Sequence, residues 1–456
     1  MKIQLRKAQG NVLFGTVVAT GIICLYLGSY LTLIRNENLL TRSSQTWNAA
    51  IPIAEAGVEE AFSRLKWDTN LTATGYGWNL IGTNYYIKTN YLNTNEYYVV
   101  GIFPGTTNHG PVIVSEGFAK PLLRTDFISR TIRVNTRARM LFGLGMVADQ
   151  TINFSGDKVT IDSYDSADPL YSTNGQYIAT KRKDNATVAV NSTLVSTTPS
   201  GPGLGNVDIY GKITTGPGSS KPYIGPQGIV GSSNYLANSA NLGTIQSGAW
   251  TNDANFDLDS VDLPFTSAVA PPSGTGYKYV LGTGDYSLSD FSTKNNENVL
   301  ITGNARLLVT SAIDLKGSFT IQTNASLQLY MSGASASING VQNLSGRARN
   351  FSYYGTTNNT SLDIGANGAF TGSLYAPSAE IKLHGGGNPA NGTDFSGSSV
   401  SKKTTLDGHF SFHYDEDLAR NGPINGYVGT SWDELILSWN TIRLSNMTTT
   451  QVRAAE

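Results

Sequence analysis

The stretch Val299-Leu-Ile-Thr-Gly-Asn-Ala305 recurs further along the chain, at an offset of 20, as Phe319-Thr-Ile-Gln-Thr-Asn-Ala325. A second pair, Phe370-Thr-Gly-Ser373 and Phe395-Ser-Gly-Ser398, has an offset of 25. Each unit offers short apolar strands joined by turns rich in Gly and Asn, and repeats of this length are typical of solenoids. Because the repeated elements are strands, we predict a mainly β protein with a parallel β-helix, right-handed by preference, in which each turn buries its apolar face against the next.

From Leu141 onward the chain has short strands separated by Gly, Asn, Ser and Thr, and we predict that residues 141–418 form one β-helix-like domain. Residues 193–272 within it are rich in Gly, Pro and Ser and match the repeat poorly. We therefore expect an irregular insertion there, either a long loop or an irregular turn of the solenoid. The larger of the two offsets places His384 on His409. Residues 419–456 are expected to form a C-terminal cap or tail.

The N-terminus has a different pattern. Residues 1–10 form a basic leader with Lys2, Arg6 and Lys7 and no acidic residue, and residues 11–34 carry no charge. At about 1.5 Å per helical residue, this transmembrane helix is long enough to span a bilayer core of roughly 30 Å. Since Lys and Arg beside a span stay in the cytoplasm, we predict a single-pass inner-membrane protein with its N-terminus inside and its bulk outside.

An amphipathic stalk helix is predicted over residues 35–66, because apolar residues recur there at spacings of three and four. Pro52 is expected to kink or break it. Residues 67–140 contain four strand-like stretches, the last of which alternates arginines with apolar residues. We predict a small antiparallel β-sheet module against the helix. Its arginine row would be a solvated face, with a docking site for an anionic surface as the alternative.

These N-terminal features carry a resemblance. The leader ending in Gly10, the apolar helix and the stretch Ile53-Ala-Glu-Ala-Gly-Val-Glu-Glu-Ala-Phe62 resemble type IV pilus minor pilins of the PilX-like class. The resemblance implies that a prepilin peptidase cuts after Gly10 and leaves a methylated Asn11, and that the partners are other pilins or pilus-assembly proteins. Major pilins carry Glu where this chain has Gly15, which argues against a bulk filament subunit. A plain, unprocessed membrane anchor is the alternative.

A second resemblance covers roughly residues 142–418. Four stretches resemble a glycine-rich β-helical domain of uncharacterised function that often follows PilX-like stalks in bacterial envelope proteins: Ile161-Asp-Ser-Tyr-Asp-Ser166, Phe370-Thr-Gly-Ser-Leu-Tyr-Ala-Pro377, Ile381-Lys-Leu-His-Gly385 and Phe410-Ser-Phe-His-Tyr-Asp-Glu-Asp-Leu418. The resemblance implies a fold and no particular activity.

The composition restricts the function. Charged residues make up 14% of the chain and the net charge is −1, so we expect no partner of the nucleic-acid class. The single cysteine, Cys24, lies in the apolar run, which excludes a disulfide framework and a thiolate metal site. We find no nucleophile-elbow or phosphate-loop motif and expect no cofactor.

Candidate metal or acid–base residues lie close together at the end of the repeat domain: His384, His409, His413 and Asp415. A hydrogen-bonded cap that closes the solenoid explains the same residues more simply, so we predict neither a metal nor a catalytic residue. Asp162, Asp165 and Asp168 lack the spacing of a calcium loop and are assigned to turns.

Two classes of function remain. The first is a pilus-associated, minor-pilin-like surface protein of the cell envelope, structural or adhesive. It would bind a glycan or another surface ligand through exposed aromatics such as Tyr353 and Tyr354. The alternative is a membrane-tethered β-helical enzyme, a polysaccharide lyase or hydrolase, which needs a concave face with convergent carboxylates. In both cases residues 11–34 contact membrane lipid.

Overall fold

The computed structural model describes residues 12–67, 76–82, 85–105, 110–122, 124–154, 159–192, 195–196, 204–366, 370–385, 394–407 and 411–435. The described chain forms two compact units, which divide between Arg139 and Met140 and again between Pro423 and Ile424. Along the sequence, the second unit is therefore inserted into the first. Gly10 and Asn11, at the expected cleavage point, lie outside the described residues.

The first unit begins with helix α1, Val12–Trp67, which continues through Pro52. The break that the sequence suggested there is therefore absent. Ile53 and Ala54, the next two residues, are buried against the sheet. This packing offsets the hydrogen bond that proline removes from a helix interior.

Five strands follow α1 and form an antiparallel sheet: β1 Asn79–Ile81, β2 Tyr85–Asn93, β3 Glu96–Phe103, β4 Val112–Ala119 and β5 Ile128–Met140. The last described strand of the chain, Ile424–Leu435, lies beside β5 as a sixth member. One face of the sheet buries the upper half of α1. Gly117 on β4 permits this close approach, because a Cβ there would lie 2.3 Å from the Ala50 carbonyl oxygen.

The arginine row on β5 is not a solvated face along its whole length. Arg130 forms a two-pronged ion pair with Glu434, and Arg133 lies 3.2 Å from Asp433. Both acids belong to the sixth strand, a region expected from the sequence to be only a cap or tail. The expectation was wrong for these two arginines because the chain returns, after the whole of the second unit, to supply their partners.

The second unit is a parallel β-solenoid of about nine turns, as predicted. The described strands of its first run are β6 Met146–Phe154, β7 Thr160–Tyr164, β8 Ala186–Val190, β9 Val195–Ser196, β10 Asp208–Thr214, β11 Ile229–Gly231, β12 Thr244–Ile245 and β13 Trp250–Thr251. A short helix, α2 Ser233–Leu236, lies between β11 and β12.

An extended segment, residues 252–278, which we call the strap, leads to the second run. That run consists of β14 Tyr279–Leu281, β15 Gly284–Thr293, β16 Val299–Ile301, β17 Asn304–Leu315, β18 Phe319–Ile321, β19 Ser326–Met331, β20 Ser335–Ile338, β21 Val341–Asn343, β22 Phe351–Gly355, β23 Ser361–Ala366, β24 Phe370–Gly385, β25 Phe395–Asp407 and β26 Phe412–Asp415. Helix α3, Leu418–Asn421, follows it, and the strand Ile424–Leu435 is β27.

The two runs meet side by side and not in sequence order. β6 pairs with β8 of its own run and with β25 of the other, and β26 pairs with β7. The Leu141 backbone N–H donates to the Pro423 carbonyl at 2.8 Å, so the chain enters and leaves this unit at one place. The first run therefore extends the stack away from β6 and β7 on one side. The second run approaches from the other side and ends beside these two strands.

Phenylalanines from successive turns stack in the interior of the second run. Neighbouring rings have centroid separations of 4.8–6.0 Å along the series Phe291, Phe319, Phe351, Phe370, Phe395 and Phe412. All six side chains are fully buried. This column explains why the repeats recognised in the sequence begin with an apolar or aromatic residue.

Strand register tests the two sequence offsets directly. Val299 pairs with Phe319 and Phe370 pairs with Phe395, so both offsets are confirmed at these positions. A register shift between Ala376 and Glu380 then reduces the second offset, and His384 pairs with Asp407. The expectation that His384 lies on His409 was therefore wrong, because a β-bulge changes the number of residues between paired positions.

The expected insertion over 193–272 also looks different in the structure. Of its described part, residues 208–251 supply β10 to β13, which pair in parallel within the solenoid. Only the strap lacks regular strands, apart from isolated bridges such as Val269 with Tyr286. Gly and Pro in this region therefore mark tight turns between very short strands.

Candidate functional site

A column of polar side chains crosses five adjacent strands on one outer face of the solenoid: Thr320, Gln342, Thr371, Ser396 and His413. Each follows a buried apolar residue of the core, and side chains alternate along a strand, so the column faces outward. Thr371 and Ser396 are small and half-buried. They leave a trough between the larger side chains of Gln342 and His413.

This trough is the floor of a groove of about 840 Å³, which we call the amide groove. Turns between strands form one wall and carry Asn295, Asn298, Lys316 and Asn339. Gln176 and Tyr177 also line the groove. Strand pairing on both sides of the floor fixes its shape, since β24 and β25 each lie between two neighbours.

His413 closes one end of the groove and is only 3% exposed. Its Nδ1 lies 2.5 Å from Asp162 Oδ1, and its ring stacks on Tyr177 with centroids 3.5 Å apart. The Tyr177 hydroxyl donates to Asp162 Oδ2 at 2.6 Å. The Nε2 atom of His413 is buried and lies 3.4 Å from Asp394 Oδ2, and both residues line the groove. Three side chains thus hold one imidazole in a fixed orientation.

The charges around His413 favour its protonated form. Burial alone lowers the pKa of a histidine, but the carboxylates of Asp162 and Asp394 outweigh burial here and raise the pKa of His413. Burial, together with the Asp162 carboxylate, also raises the pKa of Tyr177 well above its ordinary range. Tyr177 therefore stays a neutral hydrogen-bond donor at physiological pH.

The structure separates the residues that the sequence grouped as a metal or cap cluster. The exposed His384 contacts Asp363, away from His413, and His409 lies outside the described residues. Asp415 accepts backbone N–H groups from Ser166, Ala348 and Asp417 at 3.0–3.3 Å. Among the described residues no three His, Cys, Asp or Glu side chains are placed to hold a metal ion.

Sequence reasoning missed the partners of His413. Asp162 was assigned to a turn, and Tyr177 and Asp394 were not considered. Asp162 is 251 residues from His413 and reaches it only because β7 pairs with β26 where the two runs meet. A repeat offset within one run carries no signal for such a contact.

The aromatics expected on an exposed adhesive face are covered. Tyr353 is fully buried and its hydroxyl donates to Asn359 at 2.9 Å, while Tyr354 is 8% exposed and stacks on Tyr330. The expectation was wrong because Tyr353 points into the core and the strap covers Tyr354. Phe256 and other apolar strap residues pack on the cluster that contains Tyr354.

Comparison with known proteins finds a similarity in part of the chain. A family model described as a domain of unknown function (DUF7305) matches residues 249–421, from just before β13 to the end of α3. No curated protein matches the chain. One similar solved structure is that of the competence-associated pilin ComZ from Thermus thermophilus, 11% identical, with 85% of this chain and 97% of that chain covered. Its TM-score is 0.24, and a likeness this weak carries no argument.

Proposed function

We propose that this protein is a pilus-associated, minor-pilin-like surface protein with a structural or adhesive role. In this proposal the lower half of α1 lies in the cytoplasmic membrane and contacts lipid through residues 11–34. The N-terminus is cytoplasmic, and the β-solenoid works outside the cell membrane. Other pilins or pilus-assembly proteins are its partners. The PilX-like sequence features of the leader and helix point to this class.

One observation carries the proposal, the division of α1 into two chemically different halves. Its lower half exposes large apolar side chains such as Leu25 and Tyr26, which are 74% and 76% exposed. An 18-residue stretch of this helix has a mean hydropathy of 2.0, enough to cross a membrane. Its upper half instead buries Ala54, Ala61 and Leu65 in the core of a small antiparallel sheet. A single helix that serves lipid below and a sheet above is how a pilin subunit is built.

Processing at Gly10 tests membership in this class. A missing side chain lets the extended backbone approach a peptidase closely, and the basic leader keeps the site at the cytoplasmic face. Mass spectrometry of the native N-terminus should find a methylated Asn11. A Gly10→Leu variant should retain Met1 while export and folding are unchanged. An intact Met1 in the wild-type protein, in cells that process their other prepilins, would leave only a simple anchor.

Partnership with pilins can be tested separately by site-specific photo-cross-linking. A photoreactive residue at Leu25 faces outward from α1, and one at Leu65 is a matched control buried against the sheet. We expect cross-links to other pilins from Leu25 and none from Leu65. Cross-links from Leu25 to lipid alone would contradict the pilus association.

One observation favours the enzymatic alternative, the orientation of His413 between two carboxylates beside a groove. A hydrolase of the usual kind needs two carboxylates that both reach the substrate. Among the described lining residues Asp394 is the only one with a carboxylate, and Asp162 is fully buried behind His413. Release of reducing ends from a polysaccharide panel, abolished in a His413→Gln variant, would establish this alternative.

A further inference from the structure

We propose that the amide groove binds a neutral, extended oligosaccharide. This deepens the adhesive part of the proposed function and rests on it only in requiring that the solenoid faces the outside of the cell. The groove replaces Tyr353 and Tyr354, which are buried, as the candidate ligand-binding surface.

The chemistry of the lining matches sugar hydroxyl groups. Carboxamides, which carry both donors and acceptors, line the groove: Gln176, Asn295, Asn298, Asn339, Gln342 and Asn343. The Asn298 oxygen already accepts from Ser318, and Asn343 is held by Ser345 and Arg347, so the other four carry most of this capacity. Sugar hydroxyls likewise both donate and accept. In the described lining the charges of Lys316 and Asp394 are opposite, and His413 is paired with the buried Asp162, so a ligand of either sign gains no net attraction there.

The groove is preorganised for a ligand that lies across the strands. Its floor runs across paired strands about 4.8 Å apart, and Thr371 and Ser396 keep it low. Since the floor cannot rearrange without breaking strand pairs, binding loses little conformational entropy. A long, shallow ligand with repeated polar groups fits such a surface.

His413 and Asp394 form one end of the groove. The Nε2 atom of His413 is buried and lies 3.4 Å from the Asp394 carboxylate. Asp162 and Tyr177 lock the ring from behind. The fixed ring therefore shapes this end of the groove, and the partly exposed Asp394 carboxylate beside it can accept a hydrogen bond from a ligand hydroxyl.

An extended peptide is the less suitable occupant. Peptides that bind β structure usually add a strand to a free edge and place side chains in apolar pockets. The floor strands β24, β25 and β26 are each paired on both sides, so they offer no such edge. The apolar residues in the described lining that could form a pocket, Val341 and Leu344, are few.

The test uses the full chain in lipid nanodiscs, because detergents with sugar headgroups would compete for the groove. Calorimetry would be run with neutral oligosaccharides of glucose, galactose and N-acetylglucosamine, with an oligogalacturonate, and with an extended Ser/Thr-rich peptide. We expect at least one neutral oligosaccharide to bind. Ser396→Trp, which fills the floor, should lower that affinity about tenfold or more.

Thr405→Trp is the matched control, since Thr405 is also a half-buried residue of β25 but does not line the groove. It should bind as the wild type does, and circular dichroism should show both variants folded. The proposal is overturned if no neutral oligosaccharide binds, if the two variants behave alike, or if only the acidic sugar or the peptide binds. Cross-linking from Leu25 uses the chain with an unaltered groove and no sugar, so failure of sugar binding is distinguishable from failure of the pilus association.

Discussion

Asp415 shows how one buried carboxyl couples this fold to pH. Burial raises its pKa from 3.8 to about 6, although the N–H groups of Ser166 and Asp417 that it accepts favour the charged form. Its pKa in the folded protein is therefore above that in the unfolded chain. Between these values the folded state binds more protons, so the free energy of unfolding falls as pH rises from about 4 to 7.

We predict that Asp415→Asn removes this dependence. The amide resembles the protonated acid, so at pH 4 the variant should be somewhat less stable than the wild type, because it loses one acceptor toward Ala348. Between pH 4 and pH 7 the wild type should lose roughly 2 kcal/mol of unfolding free energy that the variant keeps. Urea unfolding at both pH values measures the difference. Parallel stability curves for the two proteins would show that Asp415 is not the titrating group.

Gly117 controls the contact between α1 and β4. A Cβ there would lie 2.3 Å from the Ala50 oxygen and 2.5 Å from the Ala54 nitrogen, both backbone atoms that cannot move independently. Gly117→Ala should therefore destabilise the first unit by about 2 kcal/mol or more. Gly143→Ala, whose Cβ would meet nothing closer than 4.0 Å, is the control. Equal melting temperatures for the two variants would contradict the close packing.

At the scale of elements, the strap covers tyrosines on the outside of the solenoid. Its residues Phe256, Leu258 and Val261 pack on the cluster that contains Tyr354 and Tyr375, and the Tyr375 hydroxyl donates to the Asp259 carbonyl at 2.7 Å. No regular strand pairing holds most of the strap. Side-chain burial therefore supplies most of its attachment.

We predict that replacing Phe256, Leu258 and Val261 together with serine releases the strap without unfolding the solenoid. Limited proteolysis should cut the variant within residues 252–278 while its β-sheet circular dichroism persists, and a hydrophobic dye should bind the exposed tyrosines. Leu263→Ser, at a strap position that is already 38% exposed, should resist cleavage as the wild type does. Global loss of the β-sheet signal would mean that the strap is part of the solenoid core.

Local repeats made the elements predictable, and their absence explains what was missed. Val299 and Phe319 revealed a strand ladder because residues one turn apart meet the same neighbours. His413 and Asp162 meet only through the closure of two runs, and Arg130 meets Glu434 only after the whole second unit intervenes. Tyr354 was expected to be exposed because its cover, the strap, has no periodic pattern. Contacts between residues far apart in the sequence produce no local periodicity from which they could be predicted.

At the scale of the molecule, each unit is closed by strands far apart in the sequence. The sheet of the first unit needs β27, and the second unit needs the pairing of β25 with β6. The chain enters and leaves the second unit at adjacent residues, so that unit can be inserted without disturbing the pairing of β5 with β27. Pairing of this kind has a high contact order, and we expect folding to be slow and cooperative within each unit.

Removal of residues 1–34 tests whether the lower half of α1 serves only the membrane. The described side chains of this segment are exposed, apart from the partly exposed Ile34, whereas the sheet core uses residues from Ala50 onward. We therefore expect a chain that begins at Arg35 to be soluble and folded, because the deleted apolar surface contributes nothing to either core. Its melting temperature should lie within about 2 °C of that of the full chain in nanodiscs.

A matched deletion of residues 1–54 removes part of the buried helix face and should unfold the first unit. Aggregation of the shorter deletion, with loss of β-sheet circular dichroism, would show that the lower helix is needed for folding and not only for anchoring.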